Sequence, residues 1–385
     1  MHVLVIGSGI FGVTAALELR ARGCDVTLVD PGPIPHPLAE STDVSKIVRC
    51  DYAGDEDYTI LGERALDGWR RWNATWRTPR FHETGVMFLT HAAMPPGGFD
   101  LESFTLLSRR GHRVERLDAA AIAARFPAYR PGAFTDGYFH REGGWAESGA
   151  TVAQLAADAA LAGVEMIADV AIARLAERGA ITAAGDHLDA DHVIVAAGAW
   201  TPVLVPALAD RALRATGQPV FHLRPADPSL FAAARFPVFG ADISRTGYYG
   251  FPITRDGIVK IANHGTGLPL APDAPAELRQ VTAAQETALR AFVADTFPAL
   301  ADAPIVYRRL CVYGDSRDGH FWIARHPECP DVTVAAGGSG HGFKFAPVLG
   351  ELIADVALGR PNRFADKFRW RALDGDLRAD AARST

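Results

Sequence analysis

The chain has 385 residues, 48% of them apolar, which is long for one ordinary domain and rich enough in apolar side chains to fill two cores. Its formal net charge is −6 and no basic run stands out, so nucleic acid and an anionic membrane surface are both poor partners. The opening MHVLVIGSG lacks the features of a signal peptide, no apolar run can span a bilayer, and Cys24, Cys50, Cys311 and Cys329 show no C-x-x-C spacing; a reducing cytoplasm is expected, with neither a disulfide framework nor a zinc or other metal site.

Residues 2–6, HVLVI, form a continuous apolar run, the mark of a strand buried on both faces. Gly7, Gly9 and Gly12 follow as G-x-G-x-x-G. Val13, Ala16 and Leu17 then recur at helical spacing, and Gly23 ends the helix. DVTLVD predicts a second strand closing on Asp30, 18 residues beyond Gly12. In this arrangement the first glycine makes a tight turn and the second lets backbone approach a pyrophosphate. The third lets helix and strand pack closely, while the acid accepts from ribose hydroxyls and the helix N-terminus faces the phosphates. NAD and FAD share the fingerprint, so these residues leave the cofactor open.

The proline-rich DPGPIPHPLAEST that follows reads as a loop. HLDADHVIVAAGAW (187–200) predicts another buried strand running into Gly198. DVTVAAGGSGHGFKFAPVLGELIADVALG (331–359) predicts a third, then a glycine-rich loop and a helix with Pro347 near its first turn. Strand–glycine elements so far apart imply one sheet gathered from separate segments. The expected division is a discontinuous dinucleotide domain over 1–80, 141–210 and 306–385, and a second domain over 81–140 and 211–305. The predicted fold class is an α/β, Rossmann-like domain plus an α+β domain on a mostly antiparallel sheet.

Within the second domain, Asp256-Gly257 predicts a two-residue hairpin turn. It pairs Ile253 with Lys260, Phe251 with Ala262 and Tyr249 with His264, although Pro252 weakens the strand there. Period two then places Tyr249, Phe251, Lys260 and His264 on one face, which fits a solvated surface as well as a site. Cys311, in RRLCVYGDS (308–316), reads locally either as a small buried filler or as a reactive thiol.

Taken together, GSGIFG, SKIVR (45–49), GGWAES (143–148), YYGFP (248–252), LCVY (310–313) and GGSGHGFKF (337–345) resemble the flavin-dependent amine oxidases related to monomeric sarcosine oxidase, which include N-methyltryptophan and fructosyl-amino-acid oxidases. The resemblance covers nearly the whole chain, and SGHGFKF is its most specific part. It implies FAD lying between the two domains and bound covalently through a cysteine sulfur, the place held by Cys311. It implies that Arg49 and Lys344 grip a substrate carboxylate, that Lys260 serves oxygen activation, and that Tyr249, His264 and Tyr313 line the substrate face. The cofactor set it implies is Gly7, Gly9, Ile10, Gly12, Asp30, Ser41, Ser45, Lys46, Val170, Gly198, Gly338, Gly340, Gly342 and Phe343, with Cys311 and Lys344. Three residues depart from the family's pattern: Lys46 replaces an arginine, as in fructosyl-amine oxidases, Gly54 stands at an acidic position, and Gly314 replaces a threonine. The implied activity is oxidation of the C–N bond of a carboxylate-bearing amino acid or secondary amine to an imine and H2O2, by a monomer acting on small molecules and oxygen. The rival readings are a flavin dehydrogenase with another acceptor and an NAD-dependent dehydrogenase.

Overall fold

The computed structural model describes residues 1–209, 211–272, 274 and 276–373; Asp210 and residues 374–385, the ends of two of the expected dinucleotide-domain segments, lie outside the described residues. Strand His2–Ile6 sits inside a six-stranded sheet ordered Trp322–Arg325, Val332–Ala336, His192–Val195, His2–Ile6, Asp25–Val29, Glu165–Ile167. All its pairings are parallel except the first. Val3 and Val5 pack into the core on one face and Leu4 and Ile6 into the core on the other, which explains the unbroken apolar run.

Helix Ile10–Ala21 crosses this sheet close to the strand it follows. A Cβ on Gly12 would lie 1.8 Å from the Gly7 carbonyl oxygen, and one on Gly7, at φ +103°, would lie 2.5 Å from Ala196 O. Neither neighbour is a side chain that can swing aside. Gly12→Ala is therefore expected to push helix from strand, at a cost of about 1–3 kcal/mol, and to lower bound flavin per chain, read from the flavin-to-protein absorbance ratio. An unchanged ratio and melting temperature would refute that close packing.

The second sheet has nine strands. Its path runs Leu268–Leu270, Leu213–Leu223, Val259–Asn263, Tyr248–Gly250, Val238–Ala241, Val86–Thr90, Asp136–His140, Val114–Arg116, and Ile305–Ser316 also pairs with Leu213–Leu223. Only Val238–Ala241 and Val86–Thr90 run parallel. The boundary expected at 306 falls inside Ile305–Ser316, whose hydrogen bonding places it in the large sheet, with Cys311 opposite Gln218 and Tyr313 opposite Thr216. A small sheet of Lys46–Val48, Gly144–Ala146 and Phe81–His82 also crosses the expected boundaries.

The hairpin differs from expectation by two residues. Tyr249 pairs with Ala262, and Phe251 N donates to Lys260 O at 3.0 Å. The turn takes three residues rather than two, because Thr254 N bonds Ile258 O and only Gly257, at φ 71°, adopts the left-handed conformation. A slip of two preserves parity, so Tyr249, Phe251, Lys260 and His264 still share a face. That face is buried, Lys260 and Phe251 completely. Among the described residues, no helix is long and apolar enough to cross a membrane.

Candidate active site

A cleft of about 1060 Å³ opens beside the glycine turn, walled by Gly7, Gly9, Ile10, Asp30, Ser41, Lys46, Gly198, Gly338, Gly340, Gly342 and Phe343. Helix Ile10–Ala21 begins at Gly9 with no side-chain cap and no acid in its first turn, leaving its positive end to a ligand. Ser41 Oγ accepts from Ile10 N at 2.9 Å and holds the loop against that helix start. Asp30 is aimed by Ser8, whose backbone N and Oγ reach Oδ2 at 2.8 and 2.7 Å, and by Gly32 N at 3.1 Å on Oδ1. A carboxylate has about four acceptor sites, so capacity remains for a ribose hydroxyl. A helix start with no acid in its first turn, a glycine cradle and an aimed acid together fit the FAD dinucleotide.

Some expected residues stand off this wall. Gly12 packs beneath the turn. Val170 donates its N–H to Asp30 O at 3.0 Å and does not line the cleft. Ser45 is wholly buried, its carbonyl taken by Lys260. Cys311, 1% exposed, sits between Leu310 and Val312; Val312 and Gly314 do line the cleft. Arg309 Nη2 approaches Cys311 Sγ at 3.4 Å while its Nη1 bonds Thr42 O at 2.7 Å. The guanidinium is thus fixed by backbone carbonyls beside the buried sulfur.

A second cavity, about 520 Å³, shares Lys46, Gly340 and Phe343 with the cleft and adds Arg49, Tyr249, His264, His341, Lys344, Phe88 and Ile243. The Arg49 guanidinium lies 4.9 Å from the Tyr52 ring centroid, 5.3 Å from Phe99 and 5.5 Å from Phe88. Its Nη1 is buried without a hydrogen-bond partner. Gly54 has nothing within 4 Å of where a side chain would start. Lys344 Nζ donates to Tyr52 OH at 2.9 Å and to His341 O at 2.8 Å. Tyr249 and Tyr313 bring their hydroxyls to 3.5 Å, and the His264 ring is 6.0 Å from Tyr313. Burial raises both tyrosine pKa values, so both are phenols at neutral pH.

Lys260 lines neither cavity. Its Nζ lies 2.6 Å from Asp43 Oδ2, donates to Ser45 O at 2.5 Å and stands 4.7 Å over the Phe251 ring. Burial lowers its pKa to about 8, Asp43 opposing and Lys46 reinforcing the shift. Burial would raise Asp43, but Lys260, His222 and Lys46 together hold it well below the usual carboxylate range. Two functional acids escaped the sequence reading. Asp43 anchors Lys260, and Glu40 ties the glycine-rich loop to the strand Ile305–Ser316 by accepting from Gly340 N at 3.0 Å and Gly314 N at 3.3 Å. Both lie beside or within the proline-rich stretch, which has no periodicity to mark an inward side chain. Tyr52, three residues beyond Arg49, was missed as well.

The sequence profile of the FAD dependent oxidoreductase (DAO) family matches residues 2–356. N-methyl-L-tryptophan oxidase of Salmonella enteritidis is 29% identical over 373 residues, covering 94% of this chain and 96% of that protein. Fructosyl amine:oxygen oxidoreductase (Amadoriase I) of Aspergillus fumigatus superposes with a TM-score of 0.79 at 26% identity, covering 96% of this chain and 89% of that one. A modified fructosyl peptide oxidase from Aspergillus nidulans shares the fold, with a TM-score of 0.86 at 23% identity over 100% of this chain and 97% of its own.

Proposed function

Because the chain belongs to the FAD dependent oxidoreductase (DAO) family, we propose that it oxidises the C–N bond of a secondary amine or amino acid bearing a carboxylate, giving an imine and H2O2. It is an FAD-dependent oxidoreductase acting on CH–NH donors with oxygen as acceptor. The carboxylate is the finer point, and one observation carries it: Arg49, its Nη1 buried without a hydrogen-bond partner, lines a cavity that shares Lys46, Gly340 and Phe343 with the cofactor cleft. A cation buried without a partner is costly, and an anionic substrate removes that cost. The relatives named for N-methyl and fructosyl amines support a secondary amine.

When bound, FAD would supply the acceptor for the two electrons that leave with the carbon-bound hydrogen as C–N becomes C=N, and would pass them to oxygen, giving H2O2. The chain's own residues do the holding. The helix start at Gly9 and the aimed Asp30 bind the dinucleotide. Arg49 takes the substrate carboxylate in a two-pronged grip, Lys344 adds a second cation, and the ring stack around Arg49 fixes its plane. Phe88, Ile243 and Phe343 exclude water. Tyr249, held as a phenol, and the His264 imidazole give this wall polar groups to meet the substrate's amine. A peroxide-release screen over primary, N-methyl, cyclic and fructosyl amino acids, each beside its amide, tests the reading. Turnover confined to the acids is expected, and amides oxidised equally well would sink it.

We further propose that the flavin is bound covalently through Cys311, supported by the Arg309 guanidinium beside its sulfur. Acid precipitation should leave the yellow colour in the pellet, and Cys311→Ala should release it to the supernatant. Colour that washes out of the wild-type pellet refutes the linkage.

A further inference from the structure

We infer that Cys50, His112 and His140, which line neither the cleft nor the second cavity, form a structural site for a zinc-class divalent metal outside the reaction chemistry. The three come from segments of the chain about 60 and 90 residues apart, and one donor atom from each lies within 4.8 Å of the others. Cys50 Sγ and His112 Nε2 are 4.0 Å apart. Tetrahedral zinc with sulfur and nitrogen ligands wants donors roughly 3.5 Å apart, so small side-chain movements close the set.

The surroundings are those of a ligand sphere. His140 is completely buried, and its Nε2 has no well-aligned hydrogen bond, only the Glu142 carboxylate at 3.2 Å. Its Nδ1 lies 3.0 Å from Asp51 Oδ2, and Asp51 in turn accepts from Tyr138 OH at 2.8 Å. This carboxylate–imidazole arrangement orients a metal-binding histidine and leaves the other ring nitrogen for the ion. Two carboxylates stand ready as the fourth ligand: Glu142 Oε2, 3.2 Å from His140 Nε2, and Glu63 Oε1, 2.8 Å from His112 Nε2. Arg113 holds Glu142 at 3.0 Å and Arg110 holds Glu63 at 2.6 Å, so these acids are positioned at the rim and their charge is shared. A thiolate, two imidazoles and one carboxylate are a donor set for zinc, whereas magnesium and calcium require oxygen ligands. His112, its side chain 14% exposed, is the ligand nearest solvent. The metal would tie Cys50, the neighbour of Arg49, to the end of strand Asp136–His140 and to the turn after helix Phe99–Arg109. The absence of any C-x-x-C spacing had argued against such a site, but spacing along the chain does not register ligands contributed one at a time.

The test uses the flavin-loaded enzyme, stripped with EDTA, incubated with zinc chloride and desalted, with zinc and flavin both counted. About one zinc per chain is expected for the wild type, falling at least tenfold in Cys50→Ser and in His112→Asn, with flavin content unchanged. Zinc should also raise the wild-type melting temperature and leave that of His112→Asn unmoved. Wild-type zinc no higher than in His112→Asn overturns the assignment and leaves an ion-pair network of His140, Asp51 and Glu142. Should Cys50→Ser fail to fold, cobalt chloride on the wild type decides the sulfur ligand: a thiolate-to-cobalt absorption band, absent from His112→Asn, supports it, and no band overturns it.

Discussion

Replacing Arg49 with methionine should cut kcat/KM for the carboxylate-bearing amine by about a hundredfold or more while leaving the flavin in place. Two charge-assisted hydrogen bonds from one guanidinium contribute roughly 3 kcal/mol together, and each 1.36 kcal/mol is a factor of ten. Methionine keeps much of the apolar stem, so the packing against Tyr52, Phe88 and Phe99 is preserved and the loss reports the missing grip. Arg49→Lys retains charge without the fork and should fall between the two. Since the wild-type Nη1 is buried without a partner, Arg49→Met should not lower the melting temperature of the substrate-free enzyme. The control is an amide substrate: a variant that lost acid and amide turnover equally would show that Arg49 organises the cavity and does not read the carboxylate.

Lys260→Met is expected to be the most destabilising single substitution at this site. It leaves the Asp43 carboxylate, 2.6 Å from the ammonium, buried and without its principal counter-charge, a situation that costs about 3–5 kcal/mol. Adding Asp43→Asn should recover most of that loss, and thermal melts of the four proteins of this cycle measure the coupling. Function is then read in the double variant, which folds. Lys260 is charged below about pH 8 and loses its proton as pH rises through that value. If its charge serves the oxygen step, the rate of reaction of the substrate-reduced enzyme with oxygen should decline above about pH 8 in the wild type. That decline should vanish in Lys260→Met/Asp43→Asn, while anaerobic reduction by substrate changes little. Equal slowing of both half-reactions would reduce Lys260 to a structural partner of Asp43.

The chain's local rules were legible without coordinates. The first 30 residues carry a complete strand, turn, helix and second strand because Gly7 and Gly12 leave only one close packing, and Gly7 and Gly9 do line the cleft. Parity on the hairpin was legible as well. A period of two survives a slip of two, so the shared face of Tyr249, Lys260 and His264 was correct although each pairing was not. Arg49 and Lys344, 295 residues apart, could be placed together only through resemblance to known oxidases, since no local pattern links them.

Other features needed the tertiary structure, and for a common reason: each depends on contacts between distant segments. Whether the hairpin face met solvent or core was open until the segment bearing Asp43 and Ser45 packed onto Lys260, turning it from a surface amine into a buried ion pair. The strand of Cys311 reads alike in either domain, and its membership was decided by its ladder with Leu213–Leu223. Glu40 lies in an aperiodic loop, and its role exists only because Gly314 and Gly340 arrive from some 270 and 300 residues away. Composition and periodicity determined which backbone units form. The charged groups that face one another were decided by how those units pack, because burial and proximity set the energy of a charge, and neither is a property of the chain read in a line.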